Sequence, residues 1–381
     1  MNHRERVALT LEHREPDRVP IDLGGVVSSI HWIAYDKLTK RLGLKVEIEI
    51  ADKIQQLAKL HESVLRILDV DFRHCSLKKG FFSGAKDRLD DPSGRPYFVD
   101  AWGIKWGKNP YYYDMIAHPF DNLSIDDLDE YAWPDPKDPG RYEGLREEVK
   151  NVYETTDYAL VADSIFGGIF ECAWWLRGFE KFNVDMYKNP EFAEALLNKV
   201  VALYMEFYSQ YLDQVGDYVQ VVELGDDVGA QNGPIMSPAL LRKYIKPRWK
   251  KLYDLIHSKT KAKIFHHSCG SIYPFIADLI EVGVDILNPL QPLAANMDIG
   301  KIKEQFGNKL TLHGGVDIQR VLPLGTPNDV VEEVKRVIRA AAPNGGYILA
   351  GAHNIQADTP VDNIVTLLEA ARKFGAYPIS F

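Results

Sequence analysis

The feature that most constrains the fold is an alternation of short apolar runs with helical segments, which begins at residue 19 and becomes regular from residue 158 to the end of the chain. Each apolar run ends in polar residues or glycine, and a segment with helical periodicity follows it. Strand–helix alternation is typical of a parallel sheet, and eight such units fit a closed barrel better than an open sheet. The sequence therefore predicts an α/β protein of the (β/α)8 TIM-barrel class.

The boundaries of the repeat set the domain organisation. Arg4 to His13 has helical periodicity and precedes the first strand, which predicts an N-terminal helical extension. From Asp90 to Asp121 a turn at residues 91–94 is followed by alternating aromatic residues, which predicts a β-hairpin insertion. We expect a single domain over residues 1–381. The predicted strands begin at Val19, Val70, Tyr158, Tyr218, Lys263, Asp285, Leu310 and Gly346.

The composition argues against several classes of protein. The formal net charge of -9 offers no basic surface for nucleic acid. The first fifteen residues lack the apolar core of a signal peptide, and no run approaches the roughly 18 apolar residues of a membrane helix. Three cysteines in a long chain argue against a disulfide framework and favour a reducing compartment. We expect a cytoplasmic monomer or homodimer that binds neither nucleic acid nor membrane.

A possible metal site follows the fifth predicted strand, where His267 and Cys269 stand two positions apart. Because successive strand side chains point to opposite faces, these two project to the same side. Zinc binds imidazole nitrogen and thiolate together. Taken alone, the pattern is equally typical of a buried thiol beside a core histidine, so the surrounding residues have to decide.

The ends of the other predicted strands also carry residues that bind metals or transfer protons. In parallel barrels these ends lie at one rim, where active sites occur. A barrel built for stability alone would not need so many metal-binding and proton-transferring residues at one rim. Their number therefore favours the interpretation of His267 and Cys269 as metal ligands. Asp71, Asp227 and His313 are candidates for proton transfer, although each is equally explained as a helix cap or a hydrogen-bond partner. The strand-end residues are Asp22, Asp71, His74, Asp163, Glu223, Asp226, Asp227, Asn288, Gln291, His313 and His353.

The chain resembles the uroporphyrinogen decarboxylase superfamily, and within it the corrinoid-dependent zinc methyltransferases. Residues 15–20, 267–270, 283–285 and 345–360 carry the resemblance. It implies a (β/α)8 barrel, in agreement with the strand count. It also implies a metal held by His-x-Cys after one strand and by a further cysteine shortly before a Thr-Pro pair near the end of the chain.

The ligand set of that branch matches this chain in part. His267 and Cys269 correspond to the His-x-Cys pair, whereas His353 stands six residues before Thr359 where the branch has cysteine. Imidazole can replace thiolate on zinc, so we predict that His353 is the third ligand. Glu223 is a reserve ligand, and it is equally explained as a structural carboxylate.

The resemblance implies methyl transfer between a small substrate and the cobalt of a corrinoid, with zinc as a Lewis acid. The chain has no Asp-x-His-x-x-Gly signature of corrinoid binding, so we expect the corrinoid on a separate carrier protein. Residues 21–29 also lack the arginine-rich signature with which the decarboxylases grip porphyrinogen carboxylates. Three alternatives stay open: a metal-free decarboxylase or lyase, a methylcorrinoid:thiol methyltransferase, and a non-catalytic barrel that binds the corrinoid protein.

The aromatic insertion bears on the substrate. Trp106 and Tyr112 would line an apolar pocket for a methoxylated ring, with Asn288 and Gln291 as polar contacts, although such aromatics more often serve packing. Ring stacking contributes roughly 0.5–1.5 kcal/mol. We therefore favour O-demethylation of an aryl methyl ether over methanol, methylamines or a thiol acceptor.

Overall fold

The computed structural model describes residues 1–90 and 94–381. Within them, seven parallel strands form one curled sheet in which each strand pairs with its predecessor in the chain. Helices follow these strands and cover the outer face of the sheet, so the predicted α/β barrel is confirmed. The barrel strands are Phe72–Cys75, Ala159–Ala162, Val221–Gly225, Lys263–His267, Ile286–Asn288, Thr311–Val316 and Tyr347–Gly351.

The first predicted strand, at residue 19, is not a regular strand in the structure, but it closes the barrel. The amide of Leu349 donates to the carbonyl of Pro20 at 2.9 Å, and the amide of Asp22 donates to the carbonyl of Leu349 at 3.0 Å. On the other side, the amide of Asp71 donates to the carbonyl of Ile21 at 2.9 Å. Pro20 has no N–H to donate, which limits the ladder that this segment can form. An extended segment therefore joins the first and last strands of the sheet.

Helices connect the barrel strands and flank them, and the predicted N-terminal helix is confirmed. The helix Pro327–Ala341 shows how the sequence starts such a helix: Thr326 and Asp329 cap each other through side chain and backbone, and proline fills the first turn. The α-helices are His3–Leu11, Trp32–Arg41, Glu62–Ile67, Asp127–Glu130, Leu145–Thr155, Ile169–Arg177, Phe179–Lys188, Pro190–Val215, Pro238–Leu240, Lys246–Lys259, Ile276–Val282, Ile299–Phe306, Val321–Leu324, Pro327–Ala341 and Val361–Phe374. Shorter helical turns are Pro139–Arg141, Leu241–Ile245 and Tyr273–Phe275. In the described part of the chain, no helix has the length and apolarity needed to cross a membrane.

The insertion has one strand more than the predicted hairpin. Among the described residues, Tyr97–Val99, Lys105–Lys108 and Tyr113–Ala117 form a three-stranded antiparallel sheet. Two side chains cap two separate turns: Asp100 accepts backbone hydrogen bonds after the first strand, and Asn109 does so after the second. Of the predicted turn at 91–94, residues 91–93 lie outside the described residues. Small two-stranded sheets pair Ile50–Asp52 with Leu57–Ala58 and Gly229–Ala230 with Gly233–Pro234.

The strand side chains that face the barrel interior form two layers. The layer near the amino ends is apolar, and Val7 and Leu11 of the N-terminal helix pack against it. Because strand side chains alternate between faces, a residue two positions further along points into the same interior. This second layer, near the carboxyl ends, is polar. The apolar layer contains Phe72, Val161, Val221, Phe265, Ile286 and Ile348, and the polar layer contains His74, Asp163, Glu223, His267 and Asn288.

Candidate functional site

His267, Cys269 and His353 meet at the carboxyl end of the barrel, and we call them the rim cluster. One ligand atom from each, an imidazole nitrogen or the sulfur, lies within 4.8 Å of the other two. The Sγ atom of Cys269 is 3.4 Å from Nε2 of His267, and the rings of His267 and His353 have centroids 5.3 Å apart. His267 is buried, while the other two are half-buried. The structure thus brings together the three residues that the sequence predicted as metal ligands.

A glycine fixes the loop that carries Cys269. Gly270 has φ +78, and a Cβ there would lie 2.6 Å from the backbone carbon of Gly229. Only glycine combines this dihedral angle with such a close approach. The chain after His267 is therefore held against the short hairpin at residues 229–234, and the thiol stays beside the imidazole.

Asn288 orients His267. The side-chain oxygen of Asn288 lies 2.5 Å from Nδ1 of His267, while its amide nitrogen lies 2.8 Å from Nδ1 of His313. With this amide orientation, Nδ1 of His267 carries a proton and donates it to the oxygen. Nε2 of His267 then has a free lone pair on the side of Cys269, which is the arrangement a metal ligand requires.

Gln291 and Asp227 hold Cys269. The amide nitrogen of Gln291 donates to Sγ at 3.3 Å, and its oxygen accepts from the Gly270 amide at 2.8 Å. A carboxylate oxygen of Asp227 accepts from the Cys269 amide at 2.7 Å and lies 3.7 Å from Nε2 of His267. Asn288 and Gln291 thus contact the candidate ligands. Their predicted contact with a substrate, and proton transfer by Asp227, stay predictions.

The protonation states of the rim cluster suit a metal. Burial raises the pKa of the Cys269 thiol well above its usual value, and the charge of Asp227 raises it further. Burial also lowers the pKa of His353 to about 3, so its imidazole is neutral at physiological pH. A neutral imidazole offers its lone pair directly, and the thiol binds as thiolate after losing one proton. Two imidazoles and one thiolate match the donor atoms that zinc prefers.

Glu171 lies in the same surroundings, although the sequence analysis missed it. It belongs to the helix Ile169–Arg177 and accepts a hydrogen bond from the Gly168 amide at 3.0 Å. Burial, together with the charges of Asp227 and Asp226, raises the pKa of Glu171 well above its usual range. Its surroundings near the rim cluster therefore favour the protonated form of Glu171. Because it stands on a helix, a search of strand ends could not find it.

A chain of hydrogen bonds runs from Asn288 into the barrel. Nε2 of His313 lies 3.0 Å from one oxygen of Asp22, and the other oxygen of Asp22 lies 3.1 Å from Nε2 of His74. Nδ1 of His74 lies 2.7 Å from Asp163. Burial alone would lower the pKa of His74, but the charges of Asp22 and Asp163 raise it well above the usual value. His74 is therefore an imidazolium that donates from both nitrogens, and the predicted proton handler His313 is a buried link in this chain.

Glu223 groups with other members of the polar layer and not with the rim cluster, which corrects its prediction as a reserve ligand there. Its strand pairs with the neighbouring strand so that Glu223 stands opposite Phe265, two residues before His267. Ligand atoms of His74, Asp163 and Glu223 instead lie within 4.8 Å of one another. We call these three residues the internal cluster.

The prediction that Asp71 lies at the rim is wrong. The strand begins at Phe72, so Asp71 lies at the amino end of the barrel, opposite the rim. Its carboxylate is fully buried and lies 2.7 Å from both Arg6 and Arg18. Burial opposes the charged form, but a hydrogen bond from His3 and the charge of Arg18 lower the pKa of Asp71 overall. Asp71 therefore fastens the N-terminal segment and transfers no proton at the rim.

The two predicted aromatic contacts differ. Trp106 is 3% exposed and donates its indole N–H to Asp100 at 2.8 Å. It packs inside the insertion, so its prediction as a pocket wall is corrected. Tyr112 is half-buried and donates its hydroxyl to Gln356, in the loop that follows the last strand and carries His353. Tyr112 is thus near the rim, and its contact with a substrate stays a prediction.

The family follows from a comparison of sequences. Residues 114–374, more than half of the chain, match the profile of the uroporphyrinogen decarboxylase (URO-D) family. This chain belongs to the uroporphyrinogen decarboxylase family. The superfamily predicted from the sequence motifs is thereby confirmed.

Individual relatives are distant. The uroporphyrinogen decarboxylase of Geobacter metallireducens is 25% identical over 191 residues, which cover 50% of this chain and 52% of the relative. The uroporphyrinogen decarboxylase of Magnetococcus marinus is 21% identical over 266 residues, which cover 65% of this chain and 68% of the relative. The chain spans about half the length of most of the curated relatives it matches. A methyltransferase from Methanosarcina mazei of known structure superposes with a TM-score of 0.66 and 19% identity over 98% of this chain and 99% of its own. At that identity the likeness concerns the fold.

Proposed function

We propose that this protein is a methyltransferase that moves a methyl group between a small substrate and the cobalt of a corrinoid on a separate carrier protein, with zinc held by the rim cluster. The observation that carries the proposal is the meeting of two imidazoles and one thiol within 4.8 Å at the carboxyl end of the barrel. Active sites of this fold lie at that end. The fold shared with a methyltransferase supports the reaction class.

The protein's own side chains have defined tasks in this proposal. Bound at the rim cluster, zinc would act as a Lewis acid toward the heteroatom that carries or receives the methyl group. Asn288 and Gln291 keep His267 and Cys269 in position through the hydrogen bonds described above. Burial favours the protonated form of Glu171, which is the proposed general acid for a departing oxygen or nitrogen. Asp227 remains the second candidate for that proton transfer.

Aryl methyl ethers remain our favoured methyl donors. A departing phenolate has a conjugate acid with a pKa of about 10, as tyrosine does, so a nearby acid lowers the barrier to its release. Tyr112 supports this choice because its ring lies beside the loop that carries His353. Trp106 no longer supports it, since its indole is buried within the insertion.

The metal is tested first. We expect close to one zinc per chain, measured by elemental analysis, when the protein is purified from zinc-supplied cells. Removal of zinc by a chelator should abolish methyl transfer, and zinc should restore it. A folded protein that never contains metal would overturn the proposed centre. Activity that survives chelation on a small carboxylic acid would instead support a metal-free decarboxylase or lyase.

The reaction is tested by reconstitution with a reduced corrinoid carrier protein. Guaiacol-type ethers, methanol, methylamines and thiols are screened while the cobalt spectrum is followed. Formation of methylcobalt from an aryl ether supports the proposal. If the methyl group instead moves from methylcobalt to a thiol, the protein is a methylcorrinoid:thiol methyltransferase, with transfer in the opposite direction. Methyl transfer without corrinoid contradicts the proposal, and carrier binding with no turnover of any substrate supports a non-catalytic barrel.

A further inference from the structure

We propose that the internal cluster of His74, Asp163 and Glu223 is a second cation site, which binds one small divalent metal ion through mixed nitrogen and oxygen ligands. One ligand atom of each residue lies within 4.8 Å of the other two. The site lies inside the barrel, within the polar layer near the carboxyl ends of the strands. It is independent of the proposed methyl transfer, and neither of its carboxylates belongs to the rim cluster.

The first argument is an unsatisfied oxygen. Glu223 is 1% exposed, and its Oε1 atom has no hydrogen-bond partner within residues 1–90 and 94–381. A buried polar atom without a partner costs free energy, roughly 1–3 kcal/mol and more when the group is charged. A metal ion between Glu223, Asp163 and His74 would give this oxygen a partner.

The second argument is the charge of the site. Three carboxyl groups, from Asp22, Asp163 and Glu223, surround the single imidazolium of His74. Burial raises the pKa of Glu223 to about 8, and the charge of Asp163 contributes to this shift. Without a metal ion, the cluster therefore keeps a proton on Glu223 at neutral pH, which limits the repulsion among the three carboxyl groups.

A divalent ion can replace protons without changing the net charge. Before binding, two carboxylates, one carboxylic acid and one imidazolium give a net charge of -1. After binding, a divalent ion, three carboxylates and a neutral imidazole also give -1. The two protons released come from Glu223 and from Nδ1 of His74, the nitrogen that faces Asp163. Nε2 of His74 keeps its proton and its hydrogen bond to Asp22, a typical arrangement for a histidine that binds a metal.

A glycine is required beside two of the ligands. Gly25 lies against the pair formed by His74 and Asp163, with φ +62. A Cβ at this position would be 2.5 Å from Nδ1 of His74 and 3.0 Å from an oxygen of Asp163. Any side chain at this position would therefore displace His74 or Asp163, so glycine preserves the geometry of the pair.

The donor atoms indicate which metal to use as a probe. One imidazole and two carboxylates form a harder set than the rim cluster, which includes a thiolate. Carboxylate oxygen suits Mn²⁺, whereas thiolate selects zinc. Mn²⁺ therefore reports the internal cluster with little interference from the rim. The loss of the electron paramagnetic resonance signal of free Mn²⁺ measures binding directly.

The experiment titrates the full-length protein with Mn²⁺ in four forms: wild type, Cys269→Ser, Glu223→Gln and Asp100→Asn. Asp100→Asn is the matched control because Asp100 is a buried carboxyl group in the insertion, outside the barrel. We expect one Mn²⁺ per chain in the wild type, Cys269→Ser and Asp100→Asn, and an affinity at least tenfold lower in Glu223→Gln. About two protons should be released per ion in weakly buffered solution near pH 7, so affinity should rise with pH in this range.

Several results would overturn the second site. Absence of Mn²⁺ binding by folded wild-type protein at millimolar concentration would show that the cluster holds protons only. Binding that disappears in Cys269→Ser but persists in Glu223→Gln would place the ion at the rim. If Glu223→Gln does not fold, Asp163→Asn and Glu223→Asp replace it, and unchanged affinity in both would equally refute the proposal.

Discussion

The rim cluster and the internal cluster occupy the carboxyl ends of the same barrel, yet their ionisable groups are controlled in different ways. At the rim, burial keeps the ligands neutral: it lowers the pKa of His353 to about 3 and raises that of the Cys269 thiol. In the internal cluster, charged groups stabilise one another, because His74 lies between Asp22 and Asp163. Similar residue types thus give one site of neutral ligands and one site of paired charges.

This difference shows what each cluster exchanges for a metal ion. The rim cluster has one proton to lose, from the thiol, since both imidazoles can bind as neutral groups. When it binds a metal ion, the internal cluster must lose two protons, and the salt bridges between His74 and its neighbouring carboxylates must rearrange. We therefore expect the rim cluster to bind zinc more tightly than the internal cluster does. A variant of one cluster should leave the metal affinity of the other unchanged.

The largest effect should follow from Cys269→Ser. This change removes the thiolate of the rim cluster, so we expect zinc affinity to fall by at least a hundredfold and methyl transfer to be lost. Cys172→Ser is the matched control because Cys172 is a free, buried cysteine in the helix Ile169–Arg177. Zinc affinity is measured by competition with a chromogenic chelator. Retention of wild-type affinity in Cys269→Ser would erase the distinction between the clusters.

Asn288→Leu should have the next largest effect. Without the amide oxygen, His267 loses the partner that fixes its proton on Nδ1, and such losses typically cost about 10–100-fold in metal affinity. The same chelator competition measures the change. Asn288→Asp keeps an acceptor for His267 and should recover most of the affinity. Equal loss in both variants would mean that Asn288 serves packing and does not orient the ligand.

A smaller effect is expected from Glu223→Gln on the pH dependence of the free energy of unfolding of the metal-free protein. The folded chain keeps a proton on Glu223 up to about pH 8, whereas the unfolded chain loses it near the ordinary value of 4.5. The folded state therefore binds more protons in this range, and its stability falls as pH rises, by at most about 1.4 kcal/mol per pH unit from this group. Glu223→Gln removes that dependence, so its stability relative to wild type should increase between pH 5 and pH 8.

Urea unfolding with a chelator at pH 5, 6.5 and 8 measures this prediction. His74 also binds its proton more tightly in the folded state, with the same sign, but it is present in both proteins. The difference between the two proteins thus reports Glu223. Parallel stability curves across this range would show that Glu223 is already ionised in the folded protein.

The smallest effect is expected from Tyr112→Phe. This change removes the hydrogen bond to Gln356 but keeps the ring, so KM for an aryl ether should rise a few-fold while zinc content is unchanged. Tyr112→Ala should raise it further if the ring contacts the substrate. Trp106→Phe is the comparison from the core of the insertion, and it should alter stability more than KM. Identical kinetics in both Tyr112 variants would remove this residue from the substrate site.

The barrel and the meeting of His267 with Cys269 could be predicted from the sequence because both depend on short-range periodicity, whereas His353 was added from the family resemblance. Alternation along a strand places His267 and Cys269 on one side, and the end of the last strand places His353 beside them. Asp71 was misplaced at the rim although it stands near the start of the strand predicted from Val70, and in the structure that strand begins two residues later, at Phe72. Its partners, Arg6 and Arg18, lie more than fifty residues away in the chain, beyond the reach of local patterns.

Contacts across the barrel could not be predicted for the same reason. The link from His313 through Asp22 to His74 joins residues that are far apart in sequence and come from opposite ends of the strand order. Glu171 escaped notice because it stands on a helix after its strand. Trp106 was wrongly predicted to line a pocket for a different reason. Aromatic residues that pack inside an insertion have the same sequence pattern as aromatic residues that line a pocket.

The N-terminal helix has a consequence for the order in which the two clusters can be filled. Val7 and Leu11 of this helix, together with the apolar layer, seal the amino end of the barrel. An ion bound beside His74 would therefore enter and leave through the opposite end, where the rim cluster lies. Zinc at the rim would stand in that path, so the inner ion would load first and exchange slowly once zinc is bound, and preparations that receive the two metals in opposite order would differ in their metal content.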